Sequence, residues 1–135
     1  MKVWQRGYEL VSAVYRLTAE MPADERYGLI SQTRRAAVSV IANIAEGSKR
    51  IHRVEASRFL NIAEGSLAEC EALLRVGTGM QFIPFPRVHP LWGELDKLAR
   101  MSASLRRTVL KQDDSPAPVS SSTLNSRLLT LNSQL

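Results

Sequence analysis

Six cations lie close together in the middle of the chain: Arg34 and Arg35, then Lys49, Arg50, Arg53 and Arg58. A guanidinium is planar and presents a fork of donors that matches two phosphate oxygens, so arginines grouped in this way suit a nucleic-acid backbone. Glu46 and Glu55 offset part of the charge. Their spacing to Arg50 and Arg58 also makes ordinary helix-surface pairs, each worth a few tenths of a kcal/mol. On these residues alone both readings stand. No aromatics interleave the cations along the chain, so contact through backbone charge or shape is expected rather than base stacking.

Other chemistry is poorly supplied. Histidine occurs only at His52 and His89. A di-iron bundle would need glutamate three residues before a histidine, where this chain has Lys49 and Pro86. The one cysteine, Cys70, falls on an apolar stripe and is expected to be an inert packing residue rather than a nucleophile. There is no phosphate-binding loop, no glycine-rich dinucleotide turn and no CxxC pair. These absences predict a protein that binds rather than catalyses, with no metal and no cofactor.

The wider composition bounds the setting. A chain of 135 residues with 44% apolar content can enclose one core. Lys plus Arg number 18 against 13 for Asp plus Glu, and the net charge of +5 favours polyanionic partners by long-range attraction. No apolar run approaches the ~20 residues of a membrane span, and from the polar start of the chain no export signal is expected. With a single cysteine, a cytoplasmic protein is expected.

The cations must be positioned by helices. From Val3 to Glu20, Trp4, Tyr8, Val11 and Tyr15 recur at helical spacing beside a second stripe of Val3, Leu10, Val14 and Leu17. Pro22 ends that helix and Asp24 is a candidate N-cap for the next, expected from about Glu25 to Glu46 with Gly47 as its left-handed terminator. A third should start near Arg53 or Val54, carry Ala56, Leu60, Ala63, Leu67, Cys70 and Leu74 on one face, and break at Gly77, Thr78 and Gly79. The prolines at 84, 86 and 90 predict a loop to about Pro86. A fourth helix then follows, marked by Val88, Leu91, Leu95, Leu98, Leu105 and Val109, with Pro90 in its first turn. Long helices on short connections pack as antiparallel neighbours, so the expected fold is an all-α, up-and-down four-helix bundle over residues 1–111. Residues 112–135 are expected to form a flexible Ser/Pro-rich tail whose row of Leu124, Leu128, Leu131 and Leu135 is too weakly helical to stand alone.

Ala36 to Ala45 contains no charge and surrounds its helix with apolar or small side chains. A helix apolar all round is covered all round, which predicts contact with another copy. The expected interface includes Ala36, Ser39, Val40 and Asn43, together with the small-residue row Asn61, Gly65, Ala68 and Ala72 on the third helix. Simple tolerance of small residues in water is the alternative.

Taken together, the segments Glu25 to Leu29, Ser31 to Val40, Asn43 to Gly47, Arg50, and Phe59 to Glu69 resemble the four-helix bundle proteins related to the 23S rRNA intervening-sequence proteins. The resemblance covers about residues 1 to 110. Members are encoded in intervening sequences of large-subunit ribosomal RNA genes or elsewhere in bacterial genomes. A relative, the accessory variability determinant of diversity-generating retroelements, works with a reverse transcriptase and its RNA. The resemblance implies a homopentamer with a basic surface and no catalytic centre. The chain departs from the usual pattern at His52, where Ser or Thr is common, and at Ala56, where a bulkier apolar residue is common. The expected function is non-catalytic binding of RNA or DNA backbone, or a nucleoprotein-adaptor role with a partner protein such as a reverse transcriptase. The alternative is a protein-only scaffold whose cations bridge subunits.

Overall fold

The computed structural model describes residues 2–111. The expected tail, with its leucine row, lies outside the described residues. Four helices, α1 (Lys2–Thr18), α2 (Ser31–Lys49), α3 (Arg53–Gly79) and α4 (Phe85–Leu110), form an all-α bundle in which α2 packs on α3, α3 on α4, and α1 on both α2 and α4. No helix among the described residues is long and apolar enough to cross a membrane.

Of the two stripes on α1, the aliphatic one is buried: Val3, Leu10, Val14 and Leu17 enter the core, while Trp4, Tyr8 and Tyr15 stay exposed. Gly7 lies on the buried stripe, and a Cβ there would collide with Ile41 of α2. Its lack of a side chain therefore lets α1 approach α2 on that face, and the bulky aromatic stripe turns to solvent. The α3 stripe from Ala56 to Leu74 and the six apolar positions expected on α4 are buried, joined by Met101. Fully burying a side chain such as Leu60, Leu74 or Leu98 contributes about 1.5–3 kcal/mol.

Several helix ends differ from the sequence expectation. The residues before α2 form a 3-10 turn, Ala23–Glu25, and a π turn, Arg26–Ile30, with a kink at Gly28 (φ −109°, ψ −109°). Glu25, not Asp24, supplies the cap: its Oε2 accepts a hydrogen bond from the Leu29 amide at 3.2 Å. Gly47 is not a left-handed terminator. It is buried inside α2, which continues to Lys49, and a Cβ there would lie 3.2 Å from the Ala56 carbonyl oxygen. Its role is to let α2 and α3 approach.

Likewise α3 runs through Gly77, Thr78 and Gly79. It closes where Gln81 takes the left-handed conformation (φ 63°), with Gln81 N–H bonded to the Thr78 carbonyl at 3.0 Å and Phe82 N–H to that of Gly77 at 2.9 Å. This paired closure satisfies the last carbonyls of a helix. Because α4 already starts at Phe85, Pro90 lies inside the helix rather than in its first turn. It cannot donate to the carbonyl four residues earlier.

Candidate nucleic-acid interface

The ten uncharged residues of α2 are covered mainly within the chain. Ala36 is 3% exposed and Val40 0%, so both belong to the bundle's own core and have no surface to offer a second copy. Ser39 and Asn43 lie on the α2–α3 seam. The Ser39 and Ser66 hydroxyls are 2.7 Å apart, and the Asn43 amide donates to the Ser39 carbonyl and hydroxyl at 2.8 and 3.0 Å. Of these ten residues, Val38 and Ala42 turn outward. On α3 the row Asn61, Gly65, Ala68 and Ala72 is exposed throughout, with Ile62 and Val76 beside it. A Cβ on Gly65 would meet nothing within 4 Å.

The six cations do not form one cluster. Between Arg35 and Lys49 α2 is unbroken, and fourteen residues at the helical rise separate them by about 21 Å. Lys49, Arg50, Arg53 and Arg58 occupy the α2–α3 corner. Arg50 pairs with Glu46, and Arg58 pairs with Glu55 at 2.9 Å. That hydrogen bond from Arg58 holds the Glu55 carboxyl below its ordinary value and raises the Arg58 guanidinium. Both guanidiniums also lie over the Phe59 ring, at 4.7 and 4.6 Å from its centroid. Lys49 and Arg53 have partners as well. The Arg50 Nε is buried without a hydrogen bond among the described residues. A phosphate arriving at this corner must therefore compete with carboxylates already in place.

Arg34 has a structural task. Its Nε donates to the buried Thr18 hydroxyl at 2.8 Å and an Nη to the Tyr15 carbonyl at 3.3 Å. Thr18 in turn donates to the Val14 carbonyl at 2.7 Å. The Arg34 guanidinium lies 4.5 Å over the Tyr15 ring. A cation at the carbonyl end of α1 is favoured by the helix dipole.

Arg35 is exposed and faces a cleft of about 600 Å³ between the end of α1 and the start of α2. The cleft is lined by Arg26, Arg34 and Arg35, by Tyr15 and Tyr27, and by no carboxylate. Neither Arg26 nor Arg35 has an acidic partner among the described residues. From the sequence, Arg26, Tyr15 and Tyr27 were given no role at a site. The signal that could have found Tyr27 is helical spacing, because Tyr27, Ser31, Arg34 and Val38 of the lining recur at intervals of three and four residues. Aromatic rings accompany the cations at both sites, at Phe59 and at the two tyrosines, which corrects the expectation drawn from linear spacing.

A second cavity, of about 460 Å³, adjoins the first at Arg35 and Ser39 and has Glu69 on its opposite wall. Glu64 of α3 accepts from Arg106 of α4 at 2.6 and 3.3 Å. Cys70 is fully buried, and burial, with the nearby Glu69 charge adding, pushes its thiol up to about 12. His52 precedes α3 without a side-chain cap, and His89 lies against Phe85 with ring centroids 5.1 Å apart. Among the described residues no three His, Cys, Asp or Glu side chains come together as metal ligands.

A family model described as 23S rRNA-intervening sequence protein matches residues 1–104. No curated protein matches the chain.

Proposed function

We propose that this chain, which belongs to the 23S rRNA-intervening sequence protein family, is a non-catalytic nucleic-acid-binding protein that works as an assembly of several copies. The observation that carries the reading is the cleft at the start of α2, where three arginines converge and no carboxylate neutralises them. Guanidiniums without acidic partners favour phosphate oxygens, and the family's tie to ribosomal RNA favours RNA over DNA.

Assembly is supported by the exposed row Asn61, Gly65, Ala68 and Ala72 with Ile62 and Val76 beside it. Small side chains allow a second helix to approach closely, and the empty space over Gly65 accommodates one. The homopentamer implied by the sequence resemblance is the state proposed. The site calls for no cofactor or metal, and the proposed setting is the cytoplasm. A partner protein such as a reverse transcriptase would extend this role to that of a nucleoprotein adaptor.

One observation favours a protein-only scaffold: Arg35 and Glu69 line the same cavity without an ion pair between them, an arrangement that a second copy could complete. Charge reversal at Arg35 alone separates the two readings, since Arg34 is also bonded to Thr18 and Tyr15 within the bundle. Nucleic-acid binding predicts a variant that sediments as the wild type does but no longer shifts labelled RNA. The scaffold predicts dissociation of the assembly. A wild-type protein that binds no RNA at low salt would rule out the first reading.

A further inference from the structure

The cleft between α1 and α2 holds an arrangement that backbone binding alone does not explain. Tyr27 is 89% exposed, set on the π turn at the cleft's edge, and has no ring, ion or hydrogen-bond partner among the described residues. The other tyrosine, Tyr15, already carries the Arg34 guanidinium on its ring, and that guanidinium is fixed by Thr18 and the Tyr15 carbonyl. The cleft thus offers an uncovered aromatic ring, an arginine plane held rigid, and two arginines, Arg26 and Arg35, without acidic partners.

We propose that this cleft takes one or two unpaired nucleotides of a single-stranded nucleic acid, with a base stacked on Tyr27 and flanking phosphates on Arg26 and Arg35. The proposal rests on the nucleic-acid reading above and adds to it the class of strand. Its volume, about 600 Å³, lies in the range of small-ligand pockets and has room for a nucleotide. A duplex cannot use the tyrosine, because the faces of its bases are already stacked on one another. An unpaired base has a free face, and aromatic or guanidinium planes receive such bases in single-strand recognition. The cations then act on the same strand the ring has selected.

Fluorescence anisotropy on full-length protein tests this with oligo(U), oligo(dT) and a duplex of matched charge, comparing wild type, Tyr27→Ala and Tyr27→Phe. The exposed position of Tyr27 leaves the core untouched by either change. The expected result is tighter binding of the single strands, a loss of about tenfold or more in Tyr27→Ala, retention in Tyr27→Phe, and unchanged duplex affinity. Equal loss on both substrates, or no loss on either, overturns the stacking proposal while leaving the backbone reading intact. Polyglutamate competing as well as oligo(U) also overturns it. Failure of the wild type to bind any of the three nucleic acids removes the broader reading instead.

Discussion

Gly7 of α1 sits against Ile41 of α2 so closely that a Cβ on the glycine would overlap the isoleucine Cγ2. This contact fixes which face of α1 is inside and thereby places Tyr15 at the cleft. Gly7→Ala gains about 1 kcal/mol in helix propensity. It also forces a β-branched side chain to move, at a typical overpacking cost of about 1–3 kcal/mol. The expected outcome is net destabilisation, with an earlier denaturant midpoint at unchanged slope. A midpoint at or above the wild-type value would show that α1 does not pack as described.

Gly65→Ala should behave oppositely in the isolated bundle, because nothing lies within 4 Å of the added methyl. Stability of the dissociated protein should rise by up to about 1 kcal/mol. The assembly should weaken, since the methyl fills the space proposed for a neighbouring helix. Sedimentation at several concentrations, alongside thermal unfolding, checks both halves.

Cys70 makes a pH prediction with a defined sign. Its thiol ordinarily titrates near 9.0 and is raised to about 12 in the folded chain. Folding therefore keeps a proton that the unfolded chain releases above pH 9, so this group costs nothing below that pH. Stability falls as pH climbs from about 9 to about 12, by at most about 1.4 kcal/mol per unit. Cys70→Ala should flatten that part of the curve, and thiol reagents should label the wild type only on unfolding.

The Glu64–Arg106 bridge joins α3 to α4 through two hydrogen bonds with both side chains largely covered, and the carboxylate raises the arginine's guanidinium. A double-mutant cycle of Glu64→Gln and Arg106→Met should return a coupling of about 0.5–1 kcal/mol that declines with salt. Zero coupling at low salt would contradict the geometry.

The helices were legible because their buried stripes are long and regular, as from Ala56 to Leu74 on α3. The glycines were less so. In a linear pattern Gly7 looks like a gap in a stripe and Gly47 like a stop, whereas in the fold both are points of close approach. The ends of α3 and α4 were misplaced because Gln81 adopts a conformation usually left to glycine, and because α4 tolerates Pro90 within it. At the site, Arg35 was visible from charge alone. The clamp made by Arg34 depends on Thr18, sixteen residues away, a placement not written in spacing. Tyr27 was closer to hand, since with Ser31, Arg34 and Val38 it recurs at helical spacing.

The salt dependence of RNA affinity tests the central claim most directly. If cations such as Arg26 and Arg35, repeated or extended along the assembly, neutralise four phosphates of a duplex segment, log affinity should fall with log salt at a slope of about −3.6. On single strands the same contacts give about −2.8. Replacing Arg35 with alanine should flatten either slope. Affinity that does not change with salt, or no affinity at the lowest salt, would contradict the account.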